Sequence, residues 1–287
     1  FLPDGRMIFT ARSGKLFLFD LKTRVATEVK GLPKIYASGQ GGLLDVRLHP
    51  EFAKNSYVYF TYAEPQGELA TTALMRAQLV GTELKNAQKL FSGLKANDND
   101  EHFGSRLEFD GAGYLYMTMG ERGERDEAQN MNRHQGKVLR FKDDGSVPVD
   151  NPFVGKKDVR PEIWSSGHRS PQGLVRHPLS GDLWEVEMGP RGGDEVNLLK
   201  RGANYGWPST EGPTSAAGVT ASNANMIDRA IEHFSMAQTA DPRVRGLRHR
   251  ENRGQSAAVW TGITGSTAPF ICTLDGDLQN DPAELPR

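Results

Sequence analysis

The residue pair best suited to acid–base chemistry is Glu101-His102. A histidine imidazole titrates near neutral pH and can accept a proton from an alcohol, and a carboxylate beside it can orient the ring. The pair therefore suits a general base acting on a hydroxyl group. Taken alone, however, the two residues favour a simpler role for His102, which is to cap a turn between strands.

A second candidate segment is the loop that begins Gly167-His-Arg-Ser-Pro-Gln-Gly and contains Arg169 and Gln172. A guanidinium group keeps its charge and offers several N–H donors in one plane, which suits a planar ligand that carries carboxylates. The alternative is a surface ion pair, which contributes little to stability. His168, next to Arg169, is interpreted as a packing or supporting residue rather than a ligand.

The third candidate segment reads Gly189-Pro-Arg-Gly-Gly-Asp-Glu. Calcium binds oxygen ligands, including main-chain carbonyl groups, and glycine lets the main chain turn its carbonyls toward an ion. This segment therefore predicts a calcium site, with an ordinary acidic turn as the alternative.

Several classes of function are excluded by composition. The 35 Lys and Arg residues balance 36 Asp and Glu residues without long runs of one sign, which gives no basis for nucleic-acid binding. The single cysteine, Cys272, rules out an intrachain disulfide and a cysteine-based zinc site. Apolar runs stay below the about 18–20 residues that span a bilayer, so no membrane insertion is expected. A glycine motif for nicotinamide cofactors is also missing.

The elements that must position these residues are short strands separated by glycine turns. Residues 2–19, 46–62, 107–120 and 174–189 each place a polar turn between two runs rich in aromatic and β-branched residues. Successive copies are spaced by roughly 45–65 residues, which is typical of β-propeller blades. The sequence predicts an all-β propeller with about four recognisable blades; a β-sandwich is the alternative.

Taken together in chain order, the motifs resemble the soluble quinoprotein glucose/sorbosone dehydrogenases, which include the aldose sugar dehydrogenases. The resemblance covers residues 1–208. The motifs that carry it lie at residues 39–52, 101–107, 136–140, 150–153, 167–174, 189–199 and 204–208. It implies a six-bladed propeller that uses pyrroloquinoline quinone (PQQ) and Ca²⁺ to oxidise an aldose to its lactone.

The resemblance also implies roles for individual residues at the sugar and the quinone. His102 is the general base, and Gln40 and Glu101 contact the sugar, with Glu101 standing where relatives usually have aspartate. Arg169 lies at the reactive carbonyl of the quinone. Two neighbours complete the cofactor contacts: Ser170, which replaces the usual asparagine, and Gln172.

Two calcium ions are implied as well. The carbonyls of Gly189 and Pro190 hold the ion that also binds the quinone. The side chain of Glu195 and the carbonyl of Tyr205 belong to a second, structural calcium site.

The motif resemblance ends at Pro208, so the predicted division is a propeller at residues 1–212 and a divergent or poorly ordered segment at 213–287. We expect two further blades in the family fold, and hence that this chain either lacks activity or depends on residues outside this sequence. Alternatively, the arginine-rich run at residues 243–253 replaces the missing cations that clamp the quinone.

Three functions remain to be separated. The first is the sugar dehydrogenase, which passes electrons to an external acceptor and is expected in the periplasm or outside the cell. The second is a calcium-dependent propeller lactonase or other hydrolase. The third is a non-catalytic, calcium-stabilised propeller that acts as a binding module.

Overall fold

Each predicted repeat forms the first two strands of an antiparallel sheet. The structure is a computed structural model that describes residues 1–94, 96–190 and 194–209. The first sheet contains β1 (Met7–Ala11), β2 (Lys15–Asp20) and β3 (Val25–Val29). The second sheet contains β4 (Leu43–Leu48), β5 (Tyr57–Gln66), β6 (Leu69–Val80) and β7 (Glu83–Ser92).

The third and fourth sheets follow the same up-and-down order. The third contains β8 (Gly104–Phe109), β9 (Leu115–Met119), β10 (Lys137–Phe141) and β11 (Ile163–Ser166). The fourth contains β12 (Pro171–Arg176), β13 (Leu183–Glu187) and β14 (Glu195–Leu198). Helical structure in the described residues is limited to α1 (Phe52–Asn55) and a 3-10 turn at Arg125–Ala128. None of these helices is long and apolar enough to cross a membrane.

Local side-chain chemistry closes the hairpin turns. Between β8 and β9, the Asp110 carboxylate accepts the backbone N–H groups of Ala112 and Tyr114 at 2.8 and 2.9 Å. Gly113 between them has φ +88°, a conformation that other residues rarely adopt. The turn therefore depends on residues that are adjacent in sequence.

The sheets pack face to face in chain order. Val58 and Phe60 of β5 share an apolar cluster with Leu18 of the first sheet, whereas Tyr59 shares a cluster with Leu107 of the third sheet. Successive strand residues point to opposite faces, so the second sheet is buried on both sides. A third cluster joins the third and fourth sheets. This stacking is that of propeller blades, and the prediction of four recognisable blades is confirmed.

The predicted segment at 213–287, including its arginine-rich run, lies outside the described residues. The boundary at residue 212 also falls there, so the division into these two parts stays a prediction.

A buried lysine links the third blade to the loop that precedes it. Lys137 begins β10 with no exposed surface, and its ammonium group donates hydrogen bonds to the carbonyls of Glu127, Ala128 and Gln135, each at 2.8 Å. Burial lowers the pKa of Lys137 to about 7, while the three acceptors favour the charged form. The Glu127 and Ala128 carbonyls also accept the backbone N–H groups of Asn130 and Gly167, so the ammonium group is their second donor.

Replacing this lysine tests its structural role. Lys137→Met is expected to lower the free energy of unfolding by about 2–3 kcal/mol, because three buried carbonyls each lose a charged hydrogen-bond donor. Urea denaturation measures the loss. Lys142→Met, at an exposed position just after β10, serves as the control and is expected to stay within about 0.5 kcal/mol. Equal stability of the two variants would contradict the assignment.

Candidate active site

A buried histidine–carboxylate pair lies at the end of the third blade. His102 is 7% exposed, and its Nδ1 lies 2.6 Å from Oε1 of Glu121, which is 1% exposed. The pairing of β8 with β9 explains the contact: Gly104 is opposite Met119, and extending that register by two residues sets His102 opposite Glu121. The strand ladder thus brings together two residues that are 19 positions apart.

Close approach of the backbone makes the pair possible. A Cβ atom added to Gly120 would lie 2.1 Å from the carbonyl oxygen of His102, so only glycine fits there. His102 itself has φ +52°, a left-handed conformation that is uncommon for a residue other than glycine. Such strained positions are frequent at functional sites.

Glu101 occupies a different position from Glu121. Its Oε2 is 3.9 Å from Nε2 of His102, and its side chain is 58% exposed. The carboxylate that orients the ring is therefore Glu121, which our sequence interpretation did not select. The signal for it was the strand ladder: Glu121 is a charged residue two positions past the end of the fully buried strand β9, and the ladder sets that position opposite His102.

The loop that carries His102 is held from two sides. The Oε1 atom of Gln40 accepts the backbone N–H of His102 at 2.8 Å. On its other side, the guanidinium group of the buried Arg122 donates hydrogen bonds to the carbonyls of Asn99 and Glu101. Its guanidinium carbon stacks 3.5 Å from the ring centre of Phe103. Burial lowers the pKa of Arg122 to about 10. Gln40 thus lies beside the predicted base, where it contacts the main chain.

Arg169 joins the same region from the fourth blade. Its carbonyl accepts the backbone N–H of Glu121 at 2.9 Å, and its Nη1 donates to the carbonyl of Met188 at 3.0 Å. Pro171 is paired with Glu187 between β12 and β13, so extending the register by two residues sets Arg169 opposite Gly189. The predicted base, the predicted arginine and the glycine–proline turn therefore lie in one neighbourhood, although they come from two blades.

The remaining predicted cofactor contacts surround Arg169. Ser170 is buried; its carbonyl accepts the N–H of Met188 at 3.0 Å, and its hydroxyl accepts a hydrogen bond from Nε2 of Gln172 at 3.1 Å. In the described residues Arg169 uses one of its five side-chain donors, on the Met188 carbonyl. The unused donors fit a planar anionic cofactor such as PQQ.

The predicted calcium ligands fall into two positions. The N–H of Gly189 donates to Oδ1 of Asp194 at 3.0 Å, and Pro190 is the last described residue before the gap at 191–193. Glu195 begins β14, where burial and the nearby charge of Glu187 raise its pKa to about 7. In the described part of the chain neither lysine nor arginine pairs with Glu195, which fits an oxygen ligand for a cation. Tyr205 is buried nearby, with its ring on His168.

A wide, open depression of about 690 Å³ lies at the loop that follows Arg122. Its lining consists of Gly123, Glu124, Arg125, Asp126, Glu127 and Pro208. The ring of Trp207 lies under two guanidinium carbons, 4.7 Å from that of Arg125 and 5.5 Å from that of Arg169.

Comparison with known proteins identifies similar sequences for most of the chain. Residues 1–239 match the family described as Glucose / Sorbosone dehydrogenase, which goes past residue 208. Residues 223–287 match Glycosyl transferase family 2. The chain is 41% identical to aldose sugar dehydrogenase YliI of Escherichia coli over 212 residues, covering 72% of this chain and 57% of that protein. It is 32% identical to quinoprotein glucose dehydrogenase B of Acinetobacter calcoaceticus over 252 residues, covering 77% and 52%.

Solved structures agree with the sequence matches. The apo form of the soluble aldose sugar dehydrogenase from Escherichia coli has a TM-score of 0.73 at 38% identity, covering 76% of this chain and 68% of that one. The PQQ-bound aldose sugar dehydrogenase from Streptomyces coelicolor has a TM-score of 0.67 at 31% identity, covering 76% and 63%. The chain spans little more than half the length of the two curated relatives.

Proposed function

Because this chain belongs to the glucose/sorbosone dehydrogenase family, we propose that it carries the catalytic base and part of the cofactor site of a PQQ- and calcium-dependent enzyme that oxidises an aldose to its lactone. The observation that supports the proposal most directly is the buried His102–Glu121 pair next to Arg169. A buried imidazole held by a carboxylate, beside an arginine with unused donors, suits removal of a proton from a sugar hydroxyl.

The pair determines which nitrogen of His102 acts as the base. An ionised Glu121 can only accept a hydrogen bond, so Nδ1 carries the ring proton and Nε2 keeps its lone pair. Nε2 faces the exposed side chain of Glu101 and is the atom that would take the anomeric hydroxyl proton. Gln40 supports this geometry by holding the His102 backbone, and Gln40 and Glu101 would contact the sugar.

Bound PQQ would supply the hydride acceptor. The guanidinium group of Arg169 would stabilise negative charge that develops next to it. Ser170 and Gln172 would line the same pocket. The carbonyls of Gly189 and Pro190 would bind one calcium ion, and Glu195 with the carbonyl of Tyr205 a second. Electrons would pass to an external acceptor, in the periplasm or outside the cell.

Reconstitution tests the proposal. The protein expressed from its complete reading frame, freed of metal by chelation, is expected to reduce an electron-accepting dye with glucose only when both PQQ and Ca²⁺ are added. Reactions that lack PQQ, and reactions that lack Ca²⁺, serve as the controls and should show no dye reduction. Hydrolysis of a sugar lactone with Ca²⁺ alone, and no dye reduction, would instead favour the propeller hydrolase. Neither activity would favour the binding module.

A further inference from the structure

A second polar cluster is buried in the fourth blade, away from the His102–Glu121 pair. We call it the His168 cluster, and it consists of His168, Glu185, Glu187 and Asn197, which are all at most 4% exposed. Glu185 and Glu187 lie two positions apart on β13, so they share one face of the sheet. Asn197 is paired with Glu185 across β13 and β14, and Glu195 is paired with Glu187. The register therefore brings three carboxylates and an amide to the same face.

The charges in this cluster have little compensation. Nδ1 of His168 lies 3.3 Å from Oε1 of Glu187 and 3.7 Å from Oε2 of Glu185. In the described residues neither lysine nor arginine forms an ion pair with the two carboxylates. Arg169 contributes only its backbone N–H, which donates to Oε2 of Glu187 at 2.5 Å. Buried carboxylates in such surroundings must bind a cation or take up a proton.

Two buried oxygen atoms in the cluster lack a hydrogen-bond partner. They are Oε1 of Glu185 and Oδ1 of Asn197. The Asn197 amide points into the cluster, because its Nδ2 lies 3.1 Å from an oxygen of each glutamate. A 180° rotation of the Asn197 amide group would place Oδ1 where Nδ2 now lies. The cluster thus holds more acceptor atoms than the described residues can satisfy, which is the composition of a cation site.

The spacing suits a small divalent ion. Ligand atoms at the corners of a tetrahedron with bonds of about 2.0–2.1 Å are about 3.3 Å apart, close to the 3.3 and 3.7 Å separations here. Nε2 of His168 lies 2.9 Å from the Ser165 hydroxyl, and the ring is stacked at 4.7 Å on Tyr205. Metal-binding histidines are commonly held in this way through their second nitrogen.

We propose that His168, Glu185 and Glu187 bind a divalent transition-metal ion of the Zn²⁺ class, with Asn197 as a further ligand. Imidazole with carboxylates suits such an ion better than calcium, which prefers oxygen ligands alone. None of these ligands belongs to the two calcium positions of the proposed function, although Glu195 is paired with Glu187 on the same face of the sheet. It also connects to the active site, because the same carboxylate of Glu187 holds the backbone of Arg169. His168 is then a ligand, contrary to its interpretation from the sequence.

Zinc titration in saturating Ca²⁺ tests this site while the calcium positions are filled. Chelator-treated full-length protein is expected to bind one Zn²⁺ tightly and to gain thermal stability. Glu185→Gln keeps the shape but removes a ligand charge, so the Zn²⁺ affinity should fall at least about tenfold. Glu162→Gln is the matched control, because Glu162 pairs with His134 at 2.5 Å outside the cluster, and it should bind Zn²⁺ like the wild type.

Protonation of the cluster is the competing state. Burial, with the charge of Glu187 added, raises the pKa of Glu185 well above its usual value. If the wild type binds no Zn²⁺ in saturating Ca²⁺, or if Glu185→Gln binds it equally tightly, the metal site is refuted. Should Glu185→Gln fail to fold, His168→Gln provides the second variant, with the visible absorption of bound Co²⁺ as the readout. Unchanged absorption in that variant would also refute the proposal. These measurements need no PQQ or sugar, so they stand apart from the proposed oxidation.

Discussion

His102→Asn is expected to lower kcat for aldose oxidation by about 10³-fold, because the reaction loses the group that takes the hydroxyl proton. The Michaelis constant should change much less, since the sugar would keep its contacts with Gln40 and Glu101. The protein from the complete reading frame, reconstituted with PQQ and Ca²⁺, gives both constants in a dye-reduction assay. Binding of PQQ, followed by its absorbance, should be close to that of the wild type.

A second histidine provides the control. His177 lies in the turn between β12 and β13, where its Nδ1 accepts the backbone N–H of Ser180 at 3.1 Å. His177→Asn is expected to leave kcat within about twofold of the wild type, because surface turn substitutions have small effects. If the His102 and His177 variants have a similar kcat, His102 is not the general base of the reaction.

Glu121→Gln is expected to lower kcat by about 10²-fold and to change the Michaelis constant much less. The neutral amide can present its NH₂ group to Nδ1, which moves the ring proton to Nε2 and blocks the base. The sugar contacts proposed for Gln40 and Glu101 do not involve Glu121, so binding of the sugar should be largely kept.

A similar histidine–glutamate pair elsewhere separates this positioning role from a loss of stability. Glu162 contacts Nε2 of His134 at 2.5 Å in the third blade. Glu162→Gln is expected to lower the unfolding temperature but to keep kcat within about twofold of the wild type at a temperature where both are folded. An unchanged kcat for Glu121→Gln, or the same loss of kcat in both variants, would show that Glu121 does not act through His102.

Much of the architecture follows from the sequence because turn formation is local. Asp110 and Gly113 form their turn with neighbours in the chain, and the residues on either side pair across it. Repeated turns between apolar runs at 2–19, 46–62, 107–120 and 174–189 were enough to predict antiparallel sheets in this order. Motifs such as Gly189-Pro190 were found in the same way, because each is contiguous.

The residue that holds the candidate base could not be identified from its neighbours in the sequence. Glu101 precedes His102 in the chain and was expected to orient it, yet alternate residues of an extended segment point in different directions. Glu121 faces the ring because the ladder between β8 and β9, with its irregular register between Gly104 and Leu107, sets the two residues opposite each other. A register shift of one residue would have placed a different side chain there.

The sequence by itself determined which segments become strands and turns, and which motifs carry chemistry, since both depend on residues close together in the chain. Only the tertiary structure decided that Glu121 holds His102, that Arg169 lies beside them, and that Glu185 and Glu187 meet His168 in a buried cluster. The physical reason is that these contacts depend on strand register and on packing between blades, which join residues far apart in the sequence.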